Sequence, residues 1–123
     1  MVKLFKKKRE RILEKFNEAE IIQVSEKANF FGLESKGSKQ VRGNGVLVLL
    51  KDELFFQMWL PKRIIKIPVR SIKDISTPTH HLRKTKHIKL LKVEFINQDG
   101  NKDSAAWWVK DLKEWTTQIT ALL

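Results

Sequence analysis

The chain has 123 residues, 41% of them apolar, enough to close one modest core and too few for a second domain. It contains no cysteine, which excludes disulfides, thiolate metal sites and a cysteine nucleophile and leads us to expect a reducing, cytoplasmic location. Its formal net charge of +11 suits phosphate-bearing partners, or solubility alone.

The charge is uneven. Residues 62–92 carry ten basic groups against Asp74 alone, whereas residues 93–123 carry three against five acidic groups. A positive face is therefore expected from the middle of the chain. No run approaches the roughly 18 apolar residues of a membrane span. The opening Met1-Val2-Lys3-Leu4-Phe5-Lys6 also lacks a signal-peptide core, so a soluble, unsecreted protein is expected.

From Lys3 to Ile22 the apolar residues Phe5, Ile12, Phe16 and Ala19 fall at near-helical spacing, with Leu13 widening the stripe. This predicts a basic amphipathic helix over residues 1–22, ahead of a domain over 23–123. Lys6-Lys7-Lys8-Arg9 sits where the helix dipole disfavours cations. Either those charges meet an outside anion such as a membrane surface, or the helix lays Ile12, Leu13 and Phe16 on its own domain and frays at its start.

A first strand is read at Ala28–Leu33, with a start as early as Val24, followed by a glycine- and lysine-rich loop to Gly45. Three apolar runs come next, Val46–Leu50, Leu54–Leu60 and Ile64–Val69, separated by Lys51-Asp52-Glu53 and Pro61-Lys62-Arg63. Runs this short with such corners predict an antiparallel meander. Alternation puts Phe56, Met58 and Leu60 on one face and Ile65, Ile67 and Val69 on another. Pro68, lacking an amide donor, belongs at an edge, a bulge or a strand end.

Ile72–Thr77 reads as a fifth strand and residues 78–87 as a polar basic loop. Ile88–Ile96 follows as a sixth strand, with Leu91, Val93 and Phe95 on one face. Asn97-Gln98-Asp99-Gly100-Asn101 supplies hairpin chemistry, and Lys102–Val109 returns as the seventh strand. Trp107 and Trp108 must point oppositely, one into the core and the other outward or beneath the N-terminal helix. A terminal helix is signalled by Asp111 with Glu114 three residues on, a capping-box pattern, and by Leu112, Trp115, Ile119 and Leu122 along one face.

This order of seven strands and a tryptophan-bearing helix resembles the pleckstrin-homology superfold, in its GRAM-like, prokaryotic branch. The residues carrying the resemblance are Asn29-Phe30-Phe31-Gly32, Gly43-x-Gly45-Val46-Leu47-x-Leu49, Leu54-x-Phe56-x-x-Trp59-x-Pro61, Ile67-Pro68 with Ile72 and Ile75, and Ala106-Trp107 through Trp115. It implies a mainly β fold, a seven-stranded antiparallel barrel whose C-terminal helix plugs one end, with Trp115 in the core. It also implies a non-enzymatic scaffold, since members bind phosphoinositides, other anionic lipids or protein segments. Lipid-binding members use a basic first hairpin. Here that loop offers Lys36, Lys39 and Arg42, with two residues rather than one between the last pair.

Other chemistry finds little footing. Gly43-Asn44-Gly45 leads into a strand, not the helix a dinucleotide fingerprint needs, so no cofactor is expected. His80, His81 and His87 lack a third ligand at fixed spacing and read as exposed loop side chains, so no metal is expected. No serine elbow or paired carboxylate argues for an enzyme.

The expected function is docking on anionic lipid at the inner face of the membrane. The candidate residues are Lys36, Lys39, Arg42, Lys62, Arg63, Arg83, Lys84 and Lys86. The alternative is a protein-interaction or self-association module using the terminal helix or a sheet edge. Non-specific nucleic-acid binding is a distant third, because no reading motif accompanies the charge. Trp59 and the outward tryptophan of the 107–108 pair are candidates for insertion at a lipid interface.

Overall fold

A computed structural model of the chain describes residues 10–16, 18–37, 40, 42–81, 84–85 and 89–123. Residues 10–14 are helical (α1). The strands are β1 (Ile21–Leu33), β2 (Gly43–Leu50), β3 (Glu53–Met58), β4 (Arg63–Pro68), β5 (Ile72–Ser76), β6 (His80–His81), β7 (Lys84–Thr85), β8 (Leu91–Ile96) and β9 (Lys102–Trp108), and helix α2 spans Leu112–Thr120. Seven strands form one antiparallel sheet in the order β4-β3-β2-β1-β9-β8-β5, while β6 and β7 pair separately.

β1 builds the roll. Its 13 residues pair with β2 from Ile21 to Phe30 and with β9 from Asn29 to Leu33, so one strand serves both halves of the sheet. Register shifts interrupt it at 21/23, 25/28 and 30/32, and such bulges bend and twist a strand. Gly32 makes the last one possible. Its φ of 116° lies where side chains are rarely tolerated, and a Cβ there would stand 2.8 Å from Gln40 Cδ.

The sheet curls so far that β4 and β5, at opposite ends of the order, are joined by the single 3-10 turn Val69–Ser71. The mainly β class and the seven-stranded order match the sequence prediction. The ladder is nevertheless not closed, since β4 and β5 are both edges. Pro68 ends β4 on such an edge, where its missing donor costs nothing.

The apolar runs of β2 and β3 are nearly continuous because both of their faces are covered. Leu47, Leu49, Leu54, Phe56 and Met58 face the main core with Phe30, Trp107 and Trp115. Val46, Val48, Leu50, Phe55 and Trp59 face the other way, onto Ile12, with Leu13 and Phe16 beside them. Phe16 meets Phe55 edge to face at 5.1 Å between ring centroids. The N-terminal segment thus lies on its own sheet. The helix predicted to run to Ile22 ends sooner, because Ile21, Gln23 and Val24 pair with Leu50, Leu49 and Val48. The first strand accordingly begins at Ile21 rather than at Val24 or Ala28. The basic run Lys6–Arg9 lies outside the described residues.

Gly45 sets the spacing of β2 and β3. A Cβ there would come within 2.1 Å of the Gln57 carbonyl oxygen, so only glycine permits this approach.

Two of the terminal expectations need correction. Trp107 is fully buried, as one of the pair had to be. Trp108 packs beside Phe31, Leu90 and Ala106 and not beneath the N-terminal segment, which occupies the β2–β3 face instead. Helix α2 buries Trp115 and Ile119 in the main core. Asp111 holds its N-cap position without a side-chain cap bond, so the predicted capping box does not form. The Asn97 turn forms as expected, its Oδ1 accepting from the amides of Asp99 and Asn101.

Residues 78–90 are not one plain loop. The Leu90 amide donates to the Pro78 carbonyl at 2.7 Å, and within the segment His80 pairs with Thr85 and His81 with Lys84. His81 is buried, contrary to expectation, with Nε2 3.0 Å from the Gly32 carbonyl oxygen. A carbonyl only accepts, so that nitrogen carries the hydrogen. The predicted sixth strand starts at Leu91, and Ile88 lies outside the described residues. Among the described residues no helix is long and apolar enough to cross a membrane.

Candidate functional site

The corner between β3 and β4 lies against the start of β2. The Trp59 amide donates to the Asn44 carbonyl at 3.0 Å. A Cβ on Gly43 would stand 3.1 Å from Met58 Sδ and 3.5 Å from the Leu60 carbonyl oxygen. Arg42 precedes Gly43 at one side of this contact, and Lys62 follows Leu60 by two residues at the other.

Sequence alternation placed Leu60 inward with Phe56 and Met58, yet it is 69% exposed, more than Leu123 at 54% or Ile64 at 43%. The strand ends at Met58, and Leu60 lies beyond the pleat in the turn over residues 59–62. Pro61, Lys62 and Arg42 are exposed as well. Trp59, in contrast, is buried with Ile12 and Phe55 and is not available for insertion.

Arg63 braces this corner from within. Its Nη1 donates to Gln40 Oε1 at 2.9 Å, and its guanidinium carbon lies 5.2 Å from the Phe30 ring centroid. Partial burial lowers its pKa from the ordinary arginine value, through loss of hydration of the charged form. Gln40 in turn accepts from the Leu33 amide at 2.9 Å and donates to the carbonyls of Leu33 and Gly37. One glutamine therefore ties the β1–β2 loop, the end of β1 and the β3–β4 corner together.

The eight sequence candidates thus separate. Lys62 is exposed on the β3–β4 corner with Leu60, and Arg42, exposed next to Gly43, sits over the Phe31 ring, 4.9 Å from its centroid. Arg63 is committed to Gln40 and Phe30 rather than offered to a ligand. Lys36 is exposed on the 3-10 turn after β1, where it lines a groove with Lys66 and Arg70. Lys84 lies on β7. Lys39, Arg83 and Lys86 fall outside the described residues.

The groove has a volume of about 610 Å³ and runs between β4 and the β8–β9 hairpin. Its acidic end is self-satisfied. Asp103 accepts from the Ser35 amide and hydroxyl and from the Ser104 amide, and the Ser104 hydroxyl donates to Glu34. No group of three or more side chains suited to hold a metal occurs among the described residues.

Comparison with known proteins places this architecture among solved folds. A chain of the solved 8S snRNP assembly intermediate superposes with a TM-score of 0.61 at 15% sequence identity, over 86% of this chain and 81% of that one. The likeness is one of fold. No family model and no curated protein matches the sequence.

Gln40, Lys66 and Arg70 carry no distinguishing signal in the order of residues. Pro61 was the one available signal for Leu60, since proline favours a turn position and so marks a corner there. Gln40 is a loop residue like many others until the bulge at Gly32 brings the end of β1 against it.

Proposed function

We propose that this chain is a non-enzymatic, pleckstrin-homology-like binding module that docks reversibly on anionic phospholipid surfaces through the β3–β4 corner. One observation carries the proposal: the most exposed large apolar side chain among the described residues, Leu60, stands on a corner that also carries the exposed Lys62, touches the start of β2 next to the exposed Arg42, and is braced by Arg63 and Gln40. An exposed apolar tip on a corner that carries positive charge suits the boundary between headgroups and acyl chains.

The magnitudes fit a weak, reversible attachment. Each lysine or arginine near an anionic leaflet contributes about 1 kcal/mol, and burying a leucine side chain contributes about 2 kcal/mol. Leu60, Lys62 and Arg42 together then supply about 4 kcal/mol, a millimolar association by themselves. Every further cation of the 62–92 segment that reaches the same leaflet strengthens it. A non-enzymatic role is supported by the polar cluster of Glu34, Ser35, Asp103 and Ser104, whose hydrogen bonds are made within the cluster.

Vesicle co-sedimentation tests the proposal. Binding to phosphatidylcholine vesicles containing phosphatidylserine, released as salt is raised, is the expected result. Equal binding to pure phosphatidylcholine, or binding to neither, overturns it.

A further inference from the structure

β4 is an open edge with a groove alongside. Its ladder partner is β3, and no backbone hydrogen bond made outside the ladders reaches Ile64 to Ile67 among the described residues. Alternate amides and carbonyls of this six-residue strand therefore face the groove side or solvent, a template for an added strand. The groove offers side-chain room as well as backbone: Ile65, Ile67 and Phe95 give it an apolar lining, and Ile64 is partly exposed at its lip.

Charge selects the occupant. Lys36, Lys66 and Arg70 line the groove as exposed cations, against Asp99 as the exposed acid, because Asp103 is buried and engaged by Ser35 and Ser104. A second copy of this chain fits poorly, since its β4 edge carries Arg63 and Lys66 and no acidic residue to pair with the cations of the groove. Lysine on an edge also discourages neutral strands. We infer that the β4 edge and its groove receive an extended acidic segment of a partner protein, added as an eighth strand, with carboxylates on alternate residues reaching Lys36, Lys66 and Arg70. The inference is independent of lipid docking, which uses the Leu60 corner.

The probe is a fluorescein-labelled peptide alternating glutamate and valine, with its lysine–valine counterpart as control, titrated against the full chain by anisotropy. Amide hydrogen exchange of Ile64–Ile67 is read with and without peptide. The expected result is binding of the acidic peptide alone, with β4 amides slowed about tenfold or more on saturation. The double variant Lys66→Glu/Arg70→Glu, changed only at exposed positions, should bind about tenfold more weakly while still sedimenting with acidic vesicles. Equal binding of both peptides, no binding, unchanged β4 exchange at saturation, or undiminished affinity in the double variant each overturns the inference. Should the variant lose vesicle binding but keep peptide binding, the groove is a lipid contact and not a strand-accepting edge.

Discussion

Arg63 Nη1 donates to Gln40 Oε1 across 2.9 Å, joining the β3–β4 corner to the loop between β1 and β2. The bond makes a half-buried arginine part of the framework beneath the proposed docking tip. The same glutamine also bonds the backbone of Leu33 at the end of β1.

Gln40→Ala should therefore cost more than a surface change. It removes the acceptor of Arg63 and of the Leu33 amide and the donor to two carbonyls. Leaving part-buried groups unpaired costs about 1–3 kcal/mol, to be read as a lower urea midpoint at unchanged slope. Arg63→Lys should lose a similar amount, because an ammonium cannot reproduce the guanidinium's planar contact with both the amide and the Phe30 ring. A loss within about 0.5 kcal/mol in both variants, ordinary for surface substitutions, would remove the brace from the account.

Gly45→Ala tests the β2–β3 spacing. The new methyl group would meet the Gln57 carbonyl at 2.1 Å, and backbone cannot move aside as a flexible side chain can. A loss of about 3 kcal/mol or more is expected, at the upper end for overpacking, measured by thermal or denaturant unfolding.

At the terminal helix one signature residue, Asp111, departs from the sequence pattern and the other, Trp115, follows it. Asp111 makes no side-chain cap bond, so Asp111→Ala should change stability by less than about 0.5 kcal/mol, below the usual cost of about 1 kcal/mol for a lost cap. Trp115, 1% exposed, sits in the main core, so Trp115→Ala should cost about 3–5 kcal/mol. Calorimetry on both variants compares them directly.

Much of this fold could be read from residue order. The strands from Val46 to Val69 and from Leu91 to Trp108 announce themselves through short apolar runs bounded by charged or proline-bearing corners. Leu91, Val93 and Phe95 fall on the buried face as alternation requires. The failures share a cause. Ile21 and Ile22 fit a helical stripe equally well, and what makes this stretch strand is the pairing of Ile21 and Gln23 with Leu50 and Leu49, a contact distant in sequence. Trp108 and the N-terminal segment were each free to cover an outer face, and local pattern does not say which. For the site, basic residues are visible in any sequence, but their value depends on what else they touch. Arg63 looked like Lys62 until Gln40 and Phe30 claimed it.

The most direct test of the central claim uses the absence of cysteine. Leu60→Cys creates a single labelling position at the exposed corner, and an environment-sensitive fluorophore attached there reports whether that corner enters lipid. Docking predicts a blue shift and rise in emission with phosphatidylserine-containing vesicles, reversed by high salt and missing with phosphatidylcholine alone. An unchanged spectrum while the labelled protein co-sediments with acidic vesicles would contradict it, since the membrane would then be met by some other face.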